Sequence, residues 1–149
     1  MREKMPDITV TSDIIVGFPT ETEAEFEETL DAVRAARCDQ LFTFIYSPRT
    51  GTPAAELEQL PDDVKGARMT RLLAVQNEIM LEKNRACIGR EYRILVEGVS
   101  RGDKSMYAGR TEGGKLVHFP ADEALSLTGR VVNVKITAAE TYNLWAELI

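Results

Sequence analysis

DIIVGFPTETEAEF at Asp13–Phe26 and FTFIYSPRTGTPAA at Phe42–Ala55 are the two stretches that decide the fold of the first part of the chain. Each is an apolar run that ends in a Gly/Pro turn. Ile8 to Val16 reads as a strand, and the unbroken Ile14-Ile15-Val16 predicts one buried on both faces. Gly17 and Pro19 end it. Thr22 followed by Glu25 is a capping box, so a helix starts there, and Phe26, Leu30 and Val33 recur at helical spacing toward the sheet. The acids Glu21, Glu23, Glu25, Glu27 and Glu28 read as a solvated helix face that suits the positive end of the helix dipole. Leu41 to Tyr46 is a second strand, followed by a turn-rich loop from Ser47 to Pro53. Two strands joined through a helix of this length should be parallel, with a right-handed crossover.

Outward from this unit, Pro61 precedes a long helix from about Asp62 to Ala86, with Gly89 just past its end. Leu72, Leu73, Gln76, Ile79 and Met80 mark its apolar stripe. Arg68, Arg71, Glu78 and Glu82 fall largely elsewhere. After Gly89 the period changes to two. Strands are expected at Tyr92–Val99, Met106–Thr111, Lys115–Phe119, Val131–Thr137 and Leu144–Ile149, with turns at Gly102-Asp103 and Gly113-Gly114. Five short strands in so few residues suggest a small antiparallel barrel of the OB-like kind. The fold class is therefore α/β plus all-β, with domains at 1–87 and 88–149. The first domain exposes sheet edges, and its faces should be buried by an N-terminal half that this chain lacks.

Composition is ordinary for a soluble protein. No apolar run approaches the roughly 20 residues needed to cross a bilayer, and the start has no long apolar segment of the signal-peptide kind. A cytoplasmic location without membrane association is the default. Cys38 and Cys87 are far apart and outside any CxxC or Cys/His cluster, so they read as small buried residues. The net charge is −6, with nearly all of the excess in residues 1–87 and the tail close to balanced. An acidic total argues against nonspecific nucleic-acid binding by the whole chain but leaves room for a local basic face.

Asp13–Pro19 resembles a late strand of the radical S-adenosylmethionine barrel. GFPTET is similar to the GFPGET of the methylthiotransferases, with Thr20 where Gly is usual. FTFIYSPRTGTPAA resembles their YSPRxGTPA motif almost unbroken, and Arg49 resembles the tRNA branch. In the tail, YRILVEGVS, AGRT, KLVHFPA and GRVVNVKIT resemble the TRAM domain that ends these enzymes. The resemblance thus covers essentially the whole chain. It implies the C-terminal part of a partial TIM-type radical barrel over residues 1–87 and an RNA-binding TRAM barrel over 88–149. It also implies an enzyme that methylthiolates isopentenyl-adenosine beside the tRNA anticodon.

By position, the cofactor-binding residues would be Asp13, Ile15 and Gly17, with Ile15 against the adenine of S-adenosylmethionine and Asp13 reaching its polar part. Arg49 on its loop could hold a phosphate or carboxylate bidentately. Arg101, Lys104, Arg110, Lys115 and Lys135 are candidate phosphate contacts on the barrel. His118, the one histidine, has no partner motif for catalysis and reads as a packing or RNA-contact residue. Trp145 stands where the family usually has an Arg-Gly pair after the Leu, and reads as a packing or base-stacking residue. The family's reaction uses S-adenosylmethionine and two 4Fe–4S clusters. The CxxxCxxC motif has no counterpart here, so no cluster and no catalysis are expected of this chain alone. The partners implied are the tRNA anticodon arm and the N-terminal half of the same enzyme. Two other readings stay open: the ribosomal-protein branch, and a stand-alone RNA-binding module.

Overall fold

The structure is a computed structural model that describes residues 2–120, 122 and 125–149. Its elements run β1 (Thr11–Val16), α1 (Glu23–Ala36), β2 (Gln40–Ile45), a 3-10 turn (Pro53–Glu56), α2 (Asp62–Arg85), β3 (Glu91–Val99), β4 (Met106–Thr111), β5 (Leu116–Pro120), β6 (Val131–Ala139) and β7 (Leu144–Leu148). They form two compact units. One is Thr9–Ile79; the other joins the residues up to Ile8 with Met80–Ile149.

In the first unit β1 and β2 pair in parallel, from Thr11 opposite Gln40 to Val16 opposite Ile45. The strand starts at Thr11 rather than Ile8. Before it, the Val10 N–H donates to the Asp39 carboxylate at 3.0 Å and the Asp39 N–H donates to the Val10 carbonyl at 2.7 Å, so that side chain replaces a ladder bond. The capping box forms as expected. The Thr22 hydroxyl accepts from the Glu25 N–H at 3.2 Å, and the Glu25 carboxylate accepts from the Thr22 N–H at 2.7 Å. Arg37, in the left-handed region at φ 47°, ends α1.

Phe26, Leu30 and Val33 of α1 and Leu72 and Ile79 of α2 pack with Val16, Cys38 and Leu41 into one core. Burying side chains of this size contributes roughly 1.5–3 kcal/mol each.

The cap carries a prediction. The Thr22 backbone N–H, and then its hydroxyl, hold the Glu25 carboxyl below the usual range. A carboxyl lowered in the folded state stabilises it above the unfolded pKa, and this contribution is lost as pH falls through the folded one. Thr22→Ala is expected to cost about 1 kcal/mol in urea unfolding at neutral pH, and less in acid.

Three expectations are corrected in this unit. Ile14-Ile15-Val16 is not covered on both sides: Val16 is fully buried, but Ile15 is 57% exposed. The helices cover only one face of the two-stranded sheet. The glutamate run is not uniformly solvated, because the Glu21 side chain is only 12% exposed and pairs with Arg68 at 2.6 Å. The buried stripe of α2 is Lys65, Arg68, Leu72, Gln76 and Ile79, whereas Leu73 faces out. Arg68 is tolerated there because its guanidinium meets Glu21 and lies 5.5 Å from the Phe26 ring centroid.

In the second unit the strands close into a barrel of order β3-β4-β5-β7-β6, with β6 pairing back to β3. The expected five strands are present. The barrel is mixed rather than antiparallel, because β7 runs antiparallel to β6 and therefore parallel to β5. Ile94, Val96, Tyr107, Val117, Phe119, Val134, Ile136, Leu144 and Ala146 alternate inward and fill it, together with Cys87. Register shifts at Val96/Gly98 and Ile136/Ala138 bend β3 and β6. Gly109 lets β4 approach β3: a Cβ there would lie 2.5 Å from the Leu95 carbonyl oxygen. Both cysteines are buried and free. Ala121, the last residue of the KLVHFPA stretch, lies outside the described residues. No helix among the described residues is long and apolar enough to cross a membrane.

Candidate functional site

Each unit presents its own candidate surface. In the first, strand alternation sends Asp13 and Ile15 of β1 and Phe42 and Phe44 of β2 to the face away from the helices. The register sets Asp13 beside Phe42 and Ile15 beside Phe44. All four are exposed, Ile15 at 57%, Phe42 at 47% and Phe44 at 53%. The face is thus a small apolar platform with one carboxylate. It suits the stacking of a flat ring beside a hydroxyl or ammonium group that the carboxylate can accept from.

Gly17 ends β1 at φ 78°, and its buried N–H donates to the Glu21 carboxylate at 2.8 Å. A Cβ at this position would run into the Lys65 side chain, 2.5 Å from Cγ. The turn is therefore held from three sides: by Glu21, by Arg68 behind Glu21, and by the Lys65 stem. Sequence reasoning missed Glu21 and Arg68, which are 47 residues apart. Thr20 is exposed and has no positive φ, so the turn closes without the family's glycine. Phe18 and Tyr46 meet edge to face above it, with ring centroids 5.1 Å apart. Arg49 is exposed on the following loop. Its carbonyl oxygen accepts from the Thr52 hydroxyl at 2.8 Å, and its guanidinium makes no ion pair among the described residues.

Cluster chemistry does not fit this chain's own residues. A 4Fe–4S centre takes about four thiolates, and the two cysteines lie in two different cores. Among the described residues no three His, Cys, Asp or Glu side chains gather as a metal site.

On the barrel the candidate cations are not equivalent. Arg101 and Lys104 are exposed in the β3–β4 loop. Asp103 between them is held below the usual carboxylate range by the Ser105 hydroxyl and N–H. Arg110 spends Nε on Glu97 at 3.1 Å and Nη1 on the Gly114 carbonyl at 2.9 Å. The Lys115 ammonium donates to the buried Asn84 amide oxygen at 2.7 Å, and Asn84 in turn donates to the Glu140 and Thr141 carbonyls. Lys135 stands between Glu91 and Glu147 on its two neighbouring strands. The structure thus leaves Arg101 and Lys104 at one end of the barrel and binds Lys115 into its other end. It also places His118 directly beside Trp145 on the outer wall, with centroids 6.1 Å apart. Sequence reasoning singled out both residues but not their contact, since only the parallel β5–β7 pairing creates it.

The TRAM domain family matches residues 85–149. The tRNA-2-methylthio-N(6)-dimethylallyladenosine synthase of Moorella thermoacetica is 49% identical over the whole of this chain, which covers 33% of that protein. Proteins of the same name are 50% identical in Symbiobacterium thermophilum and 47% in Acetivibrio thermocellus, where the chain covers 32% and 31% of them. Among solved structures, that of a conserved protein of Methanococcus maripaludis is 31% identical over 42% of this chain and 79% of its own, with a TM-score of 0.33. The chain spans about a third of the length of these curated relatives. The whole of this chain thus aligns with part of these tRNA-2-methylthio-N(6)-dimethylallyladenosine synthases, and its barrel, within residues 85–149, matches the TRAM domain family.

Proposed function

We propose that this chain serves a cytoplasmic tRNA methylthiotransferase of the radical S-adenosylmethionine class, as the part that grips the tRNA anticodon arm and forms one wall of the cofactor pocket. The observation that carries this reading is the match to tRNA methylthiotransferases along the entire chain, TRAM barrel included. The bare sheet face supports it. A platform of Ile15, Phe42 and Phe44 with Asp13 is costly to leave in water. The longer relatives have the additional residues that could close over it, as the inner face of a partial β/α barrel. In that setting Asp13 and Ile15 orient S-adenosylmethionine, and the Gly17 turn holds the end of β1 in place. Bound there, S-adenosylmethionine would supply the radical, and a second molecule of it the methyl group. The two 4Fe–4S clusters belong to the part of the enzyme that has the cysteines.

The RNA role has a direct test. Phosphate contacts release counterions, so each one lost lowers the slope of log affinity against log salt by about 0.7–0.9. The double variant Arg101→Ala/Lys104→Ala is expected to weaken binding to a tRNA transcript and reduce that slope by up to about 2. Lys135→Ala, flanked by two acids, should change both less. Binding that is equally tight at every salt level in the double variant would count against the loop as a phosphate grip.

A further inference from the structure

Resting on the RNA-binding reading of the barrel, we propose that His118 and Trp145 form a stacking site for one unpaired nucleobase of the bound RNA. The two residues are register partners of the parallel pair β5–β7. Val117, Phe119, Leu144 and Ala146, their chain neighbours, are all buried in the core, so alternation places both rings on the outer wall. They are half-buried and tilted by 34° to one another, side by side rather than stacked.

The residues across from them on the adjoining strands are Ala108, opposite His118 on β4, and Ala138, opposite Trp145 on β6. Both side chains end at Cβ, so the two rings form a strip with low walls. Asn143 Oδ1 lies 3.4 Å from His118 Nε2 at one edge, an amide within reach of a base edge. Arg110 follows Ala108 by two residues on the same wall. Its Nη2 has no partner among the described residues and can take a phosphate. The negative charge of Glu147, two residues beyond Trp145, is matched across the strands by Lys135. Two rings wide, bounded by alanines and a guanidinium, the strip suits a flat base with its phosphate rather than an apolar helix of a protein partner.

The chain has one tryptophan, so its emission reports this site alone. The test titrates the 149-residue chain with a fluorescein-labelled anticodon-arm hairpin for affinity, and with the unlabelled hairpin for tryptophan quenching. The hairpin is expected to quench the emission. Trp145→Ala should weaken binding about 10-fold with an unchanged salt slope, because no phosphate contact is removed, and Trp145→Phe less than about 3-fold. Should the alanine variant fail to fold by circular dichroism, His118→Ala carries the test, with binding about 3-fold weaker and quenching reduced. If the hairpin binds without any change in emission and with wild-type affinity for the variants, the stacking site is overturned while the RNA-binding reading stands. If the wild-type chain does not bind the hairpin even at low salt, both fall together.

Discussion

Arg68→Ala is expected to destabilise the first unit by about 3–5 kcal/mol, the cost of leaving a buried charge without its partner. The Arg68 side chain is 5% exposed and that of Glu21 is 12% exposed, with the guanidinium 2.6 Å from the carboxylate. Its Nη1 also donates to the Glu21 carbonyl at 2.9 Å. Removing it strands a carboxylate whose other bond holds the Gly17 N–H, so the loss reaches the end of β1. Replacing both partners, as Arg68→Met with Glu21→Gln, should cost much less, because no charge stays behind and the amide can still accept from Gly17. Hydrogen exchange of the α1 amides against urea measures both variants. A single variant no worse than the double one would show that the pair is not coupled. Arg71 is the internal contrast. It meets Glu23 and Glu27 with its side chain 42% exposed, where solvent weakens such pairs, and Arg71→Ala should matter far less.

Gly109→Ala is expected to cost the barrel about 2–3 kcal/mol. The obstacle is not φ, since Gly109 is absent from the positive-φ glycines. It is backbone: the added carbon would sit 2.5 Å from the Leu95 oxygen and 3.1 Å from both the Leu95 carbon and the Val96 Cα. No rotamer change relieves a contact with a strand, so β3 and β4 must separate within their ladder. Gly102→Ala, with open space around it in the β3–β4 loop, should stay within about 0.5 kcal/mol. Urea unfolding followed by Trp145 emission reads the barrel and separates the two outcomes. Equal midpoints for the two variants would mean that the strands have room after all.

What the chain spells out in its residues is local. Thr22 and Glu25 announce their cap because both partners lie within one turn, and Phe26, Leu30 and Val33 announce their face by their period. Asp13 and Ile15 share a face by alternation alone. What it does not spell out depends on partners far along the chain. Arg68 looks like a solvent residue until Glu21 is brought beside it. Ile15 looks buried because an apolar run says nothing about whether further strands are there to cover it. Lys115 looks free until Asn84 reaches it from α2. Alternation gives the strands of the barrel but not their order, so neither the parallel β5–β7 pair nor the meeting of His118 with Trp145 could be read in advance.

The two units also differ in how they treat the rims of their sheets. The barrel closes on itself, so every strand has two neighbours. Among the described residues, no further strand pairs with the outer flank of β1 or of β2. Such rims accept foreign strands. If this chain associates with itself on concentration, the outer flanks of β1 and β2 rather than the barrel are where a second strand is expected to add.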